Sequence, residues 1–238
     1  MRMNKKSIII FCMAALMCSC AAEFNNVYKS PDNDYKYEFA KQCFAEGKFQ
    51  QAISLLQDVV TFRKGTDTAE ESLYLLALSQ YCNHDFEAAS ATFKKYYATY
   101  PKGVFAEQAA FNVGQSLYES TPEPRLDQTP TVGAINAYQQ FLDVFPDSKL
   151  RAEAQQRLFD LQDNLVKKEY LSAELYYNLG GYFGNINANT ESNYEACIIT
   201  AQNALKTYPY TKLREEFAVL IMRSKFDLAE NSSEEKKL

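Results

Sequence analysis

Apolar residues recur along most of this chain at steps of three and four, the spacing that gathers them on one side of a helix. The steps are themselves repeated. Gly47-x-Phe49-x-x-Ala52-x-x-x-Leu56 returns as Phe86-x-x-Ala89-x-x-x-Phe93, with each shared position 37 residues further on. The second copy continues to Tyr96 and closes on Tyr100-Pro101. A third copy reads Ala134, Tyr138, Phe141 and Phe145-Pro146, displaced by 45, and a fourth reads Tyr194, Cys197, Ala201, Ala204 and Tyr208-Pro209, displaced by a further 63. Each copy places a small residue where paired helices cross, large apolar residues one turn on, and in three copies a proline that ends the helix. A preceding helix is predicted around Phe39-Ala40 and Cys43, around Leu76-Ala77, and around Val113-Gly114 and Leu117.

This pattern resembles the tetratricopeptide repeat, a helix–turn–helix unit with a period near 34 residues. It predicts an all-α solenoid of four to five helix pairs. The first copy lacks its terminal proline and carries Lys64-Gly65 near that point. Ser120 to Pro130 reads as an insertion with three prolines. Arg151 to Leu179 reads as one long helix or two short ones, and Gly180 to Asn193 as a polar loop. Leu213, Phe217, Leu220 and Ile221 predict a last amphipathic helix that caps the stack. The expected organisation is N-terminal repeats over 35–118, C-terminal repeats over 119–230 and a polar tail over 231–238.

The N-terminus carries an address. Arg2, Lys5 and Lys6 precede an apolar run from Ile8 to Met17, too short for a spanning helix, which needs roughly 20 residues. The run ends at Cys18-Ser19-Cys20. This resembles a bacterial lipoprotein signal over residues 1–19, with Cys20 as the lipidated residue because small Ser19 precedes it, and 20–34 as a lipidated linker. Ala21 and Ala22 follow, which points to the outer membrane. The expected location is its periplasmic face, held by several acyl chains such as palmitate.

The formal net charge is −5, and the charged residues of the leader are all basic, so the mature chain is more acidic still. That argues against nucleic acid as a partner. Beyond the leader, Cys43, Cys82 and Cys197 match neither a redox pair nor a zinc site, and Cys43 and Cys197 fall at apolar repeat positions. The single histidine, His84, falls in a predicted turn. No phosphate loop, nucleophile elbow or metal-ligand set is written in the chain, so neither catalysis nor a cofactor is expected.

One further resemblance rests on longer stretches. Tyr118-Glu119-Ser120-Thr121-Pro122-Glu123-Pro124-Arg125-Leu126-Asp127-Gln128-Thr129-Pro130-Thr131 leads into Ala134, Tyr138, Phe141 and Phe145-Pro146-Asp147-Ser148. Lys168-Glu169-Tyr170, Ala173 and Tyr176-Tyr177 follow. Together they resemble the BamD family (also called ComL or YfiO), lipoproteins of outer-membrane β-barrel assembly. The resemblance implies a non-enzymatic subunit that docks on the barrel-forming assembly protein and receives the C-terminal segments of unfolded outer-membrane proteins. A general envelope scaffold is the alternative.

Two surfaces are candidates. Tyr37, Tyr74 and Phe111 share one repeat position, and Phe44, Tyr81 and Tyr118 share another seven residues on, hence on one helix face. With Lys41 beside them they form either a ladder lining a peptide groove or rings packed between helices. The partner-docking candidate is Leu213, Arg214 and Phe217 on the last helix, with Glu169.

Overall fold

The computed structural model describes residues 23–63, 65–66, 68–180 and 192–235. The leader with Cys20 and most of the predicted Gly180–Asn193 loop fall outside the described residues. Those described form helices and turns only, as the repeat pattern requires. In chain order, after a short helical stretch over 23–28, the helices are α1 (Asn33–Ala45), α2 (Phe49–Phe62), α3 (Ala69–Cys82), α4 (Phe86–Thr99), α5 (Ala106–Glu119), α6 (Thr129–Val144), α7 (Arg151–Leu179), α8 (Asn193–Thr207) and α9 (Arg214–Glu235). They fall into two compact units divided between Ser120 and Thr121.

In the first unit each helix packs against its sequence neighbour, which is the tetratricopeptide-like arrangement. The small residues of the repeat explain the close pairing. Ala40 and Ala52 are fully buried where α1 meets α2, and Ala77 and Ala89 where α3 meets α4. Without bulk at the crossing the helices approach, and Leu56 and Phe93 fill the groove one turn on. The turn between each pair needs a left-handed residue. Gly47 supplies it at φ +75° in the first pair, whereas His84, 37 positions later, adopts φ +62° despite its side chain.

Two boundaries differ from the sequence expectation. Residues 23–28, read as linker, are helical, and Val27 is fully buried in the first core. At the other end α9 continues to Glu235 through residues read as tail, since Ala229 to Glu235 contains no helix breaker.

In the second unit α7 is one helix of 29 residues, settling the choice between one and two. It packs against α6 and α8, and α8 packs against α9. Ser192 starts α8 with a reciprocal capping box to Glu195. The aromatic–proline stops share one geometry. Tyr100, Phe145 and Tyr208 cap α4, α6 and α8 with φ of −126°, −121° and −124° and ψ of 65°, 64° and 69°. The proline ring that follows forces this extended turn. Arg63, with no proline after it, ends α2 at φ −88° and ψ 6° instead.

Candidate functional site

The seven residues of the predicted groove divide by depth. Tyr37, Tyr74 and Phe111 are interior side chains, at 2%, 8% and 4% exposure, and do not line an open groove. The reason lies in the segments that link the repeats. Arg63, leaving α2, lays its guanidinium over the Tyr37 ring at 4.6 Å, while Lys41 covers the same ring at 4.7 Å. Arg63 is fixed there by Asp34 and Thr68. Burial raises the Tyr37 hydroxyl well above the usual phenol range, and the nearby Glu71 carboxylate adds to it, although the hydroxyl makes no hydrogen bond of normal geometry.

Tyr74 is covered differently. Phe105, from the segment before α5, stacks on it at 4.4 Å and 9°, while Phe93 and Tyr96 meet it edge-on. Burial pushes the Tyr74 hydroxyl up to about 12, partly offset by a hydrogen bond from Asn112. Tyr96 secures the lid: its hydroxyl donates to Glu70 and accepts the Phe105 N–H at 3.2 Å. Gly103 passes so close that an added Cβ would meet Glu70 and Tyr96.

Phe44, Tyr81 and Tyr118 remain half-buried, as does Lys41. Phe44 meets Phe49 edge-on at 5.6 Å, and Tyr81 meets Phe86 at 5.5 Å, so the ring pair is repeated after 37 residues. Tyr81 also accepts a long hydrogen bond from Gln115. Lys41 pairs with Glu38 at 2.8 Å. These four are the members of the set with surface to offer. Cys43 and Cys197 are buried and Cys82 is half-buried.

The predicted docking residues of the second unit also divide. Phe217 is fully buried, edge-on to Tyr170 at 5.4 Å, and belongs to the core of α7, α8 and α9. Leu213 is half-buried against the same core. Arg214 is exposed but donates to the Pro209 carbonyl at 2.9 Å, as Arg151 does to Pro146 at the same distance. The two stretches read Pro-x-(Ser/Thr)-Lys-Leu-Arg, and their Ser148 and Thr211 hydroxyls accept from Leu150 and Leu213. The duplication is written in the sequence as the same six-residue pattern after Phe145 and after Tyr208. Its arginine ties off a helix end. Glu169 is half-buried on α7, close enough to raise the Tyr208 hydroxyl, though burial contributes more.

What α9 does present to solvent is another face. Val219, Met222 and Phe226, at steps of three and four, are 41%, 63% and 63% exposed. No metal-binding cluster is found among the described residues, and no described helix is long and apolar enough to cross a membrane.

Residues 30–237 match the YfiO family, described as outer membrane lipoprotein. The chain belongs to that family. A curated relative, the outer membrane protein assembly factor BamD of Caulobacter vibrioides, is 18% identical over 171 residues. That match takes in 71% of this chain and 56% of the relative, so the chain spans little more than half the length of the protein it resembles. Two solved structures of kinesin light chain TPR-like repeats from Podosopora anserina are 13% and 12% identical, with TM-scores of 0.43 and 0.42. They cover 83% and 84% of this chain and 95% and 99% of their own. At that level of likeness they add nothing to the fold derived from the helix pairs.

Proposed function

We propose that this chain is a non-enzymatic, lipid-anchored subunit of outer-membrane β-barrel protein assembly, attached through Cys20 at the periplasmic face. Its second unit docks the barrel-forming assembly protein, and its first unit holds C-terminal segments of unfolded outer-membrane proteins. Family membership supports the setting. The observation that carries docking is the apolar stripe Val219–Met222–Phe226. An amphipathic helix ordinarily shows water a polar face on the side it does not pack. Three large apolar side chains in one stripe are what a partner surface provides. Substrate holding draws on Lys41, Phe44, Tyr81 and Tyr118, ring edges and a cation at half-buried positions.

The test is affinity capture of the acylated chain from gently solubilised envelopes, with photo-crosslinkers at Met222 and Phe226 and, separately, at Phe44 and Tyr81. The barrel-forming protein is expected on the first pair and unfolded outer-membrane protein on the second. A folded bait that captures neither, and consistently retains another envelope complex, would replace this reading with a general scaffold. Failure to label with palmitate, or label that persists in Cys20→Ser, would refute the anchor.

A further inference from the structure

The proline-containing insertion after α5 is absorbed neither by the repeat nor by either surface above. It is rigidly held. Gln128, 5% exposed, donates to the carbonyls of Glu123 and Leu126 at 2.8 and 3.2 Å, and its Oε1 accepts from Thr131 and Asn164. Asn164 also donates to the Pro122 carbonyl, and Lys168 to the Leu126 carbonyl at 3.1 Å. Three side chains thus fasten the loop to α7.

Arg125 of the fastened loop lines one side of an open groove of about 390 Å³ whose other lining residues belong to α7. Its floor is one stripe of α7 in the order Lys168, Leu171, Leu175, Asn178: a cation, two leucines and an amide. Leu175 is 57% exposed. Arg125 stands on the loop side, and its guanidinium makes no ion pair among the described residues. The Ser172 hydroxyl donates to the Lys168 carbonyl, and Glu174, which also lines the groove, adds to burial in raising the Tyr170 hydroxyl. The groove therefore carries two cations and one carboxylate on a chain whose net charge is −5.

We infer that this groove is a second peptide site, for an acidic segment of another protein that carries a large apolar side chain beside its carboxylate. The apolar side chain covers Leu171 and Leu175. The carboxylate meets the Arg125 fork, where two parallel N–H donors suit it, and the Asn178 amide meets the peptide backbone. Because the loop is already held in place, binding orders little of the protein. This site is distinct from the two surfaces of the assembly reading and stands or falls separately.

The test is fluorescence anisotropy of the full chain in detergent with a fluorescein-labelled heptapeptide centred on Leu-Glu-Phe. Saturable binding is expected, weaker by about tenfold for Arg125→Glu and for Leu175→Ser, with thermal melting unchanged in both because the two side chains are exposed. The peptide with Gln for Glu should bind several-fold more weakly. Absent saturation, equal binding by Arg125→Glu, or loss with Arg125→Glu alone while Leu175→Ser binds normally would overturn the site, the last leaving only diffuse charge attraction. Retention on phosphatidylglycerol vesicles without peptide binding would overturn it in favour of a lipid contact.

Discussion

Tyr37 and Tyr74 occupy the same position in successive repeats, yet they are buried by opposite means. Over Tyr37 lie two cations, Arg63 and Lys41. Over Tyr74 lies a third aromatic segment, Phe105, held by the Tyr96 hydroxyl. The repeat fixes where the ring points, while the chain between repeats decides what meets it. A charged lid gains modestly from cation–π attraction, whereas a stacked aromatic lid adds apolar burial. The first repeat therefore has the more easily opened cover.

Truncating the rings breaks the comparison most strongly. Tyr74→Ala removes a ring in contact with three others and is expected to cost about 3–5 kcal/mol, with Tyr37→Ala toward the lower end. Urea titration of each variant checks the order, and equal losses would deny the two lids any difference. Titration tests the burial of the second ring next. Unfolded tyrosine loses its proton near pH 10, roughly, while folded Tyr74 retains it to about 12. Between those values the unfolded chain binds fewer protons, so stability is fully present below the lower value and falls as pH rises. Denaturation at pH 9 and 11.5 should show that fall, and Tyr74→Phe should reduce it.

The lids can then be removed singly. Phe105→Ala is expected to cost about 2 kcal/mol, since Phe105 is only half-buried, and Arg63→Ala about 1 kcal/mol. If the arginine proves the larger loss, the charged lid is the tighter one. The smallest change is at the turns. His84→Gly should stabilise by about 1 kcal/mol by relieving the left-handed strain, and Gly47→Ala should destabilise by a similar amount. Melting temperatures of the two variants should move in opposite directions.

The second unit shows how far sequence pattern reached. The buried small residues Ala134, Ala173, Ala201 and Ala204 sit where an amphipathic reading puts them. Leu213 and Phe217 were legible as one apolar face, but periodicity marks a face without saying what it meets. Phe217 met the core, and the outward stripe was Val219, Met222 and Phe226. Gln128 stood inside a quoted motif without its task being visible, because its four hydrogen-bonded partners include Asn164, 36 residues away.

The chain's sequence by itself determined that there are helices, that they pair, where their small residues let them touch and where proline ends them, since each is a local consequence of spacing and backbone sterics. Only the tertiary structure decided which aromatics are covered and by what. Arg63 reaches back to Tyr37 and Phe105 to Tyr74 across 26 and 31 residues, and the groove along α7 has Arg125 on one side because a distant loop is fastened to that helix. Such contacts depend on where linking segments run once the helices have packed, and no local period encodes that.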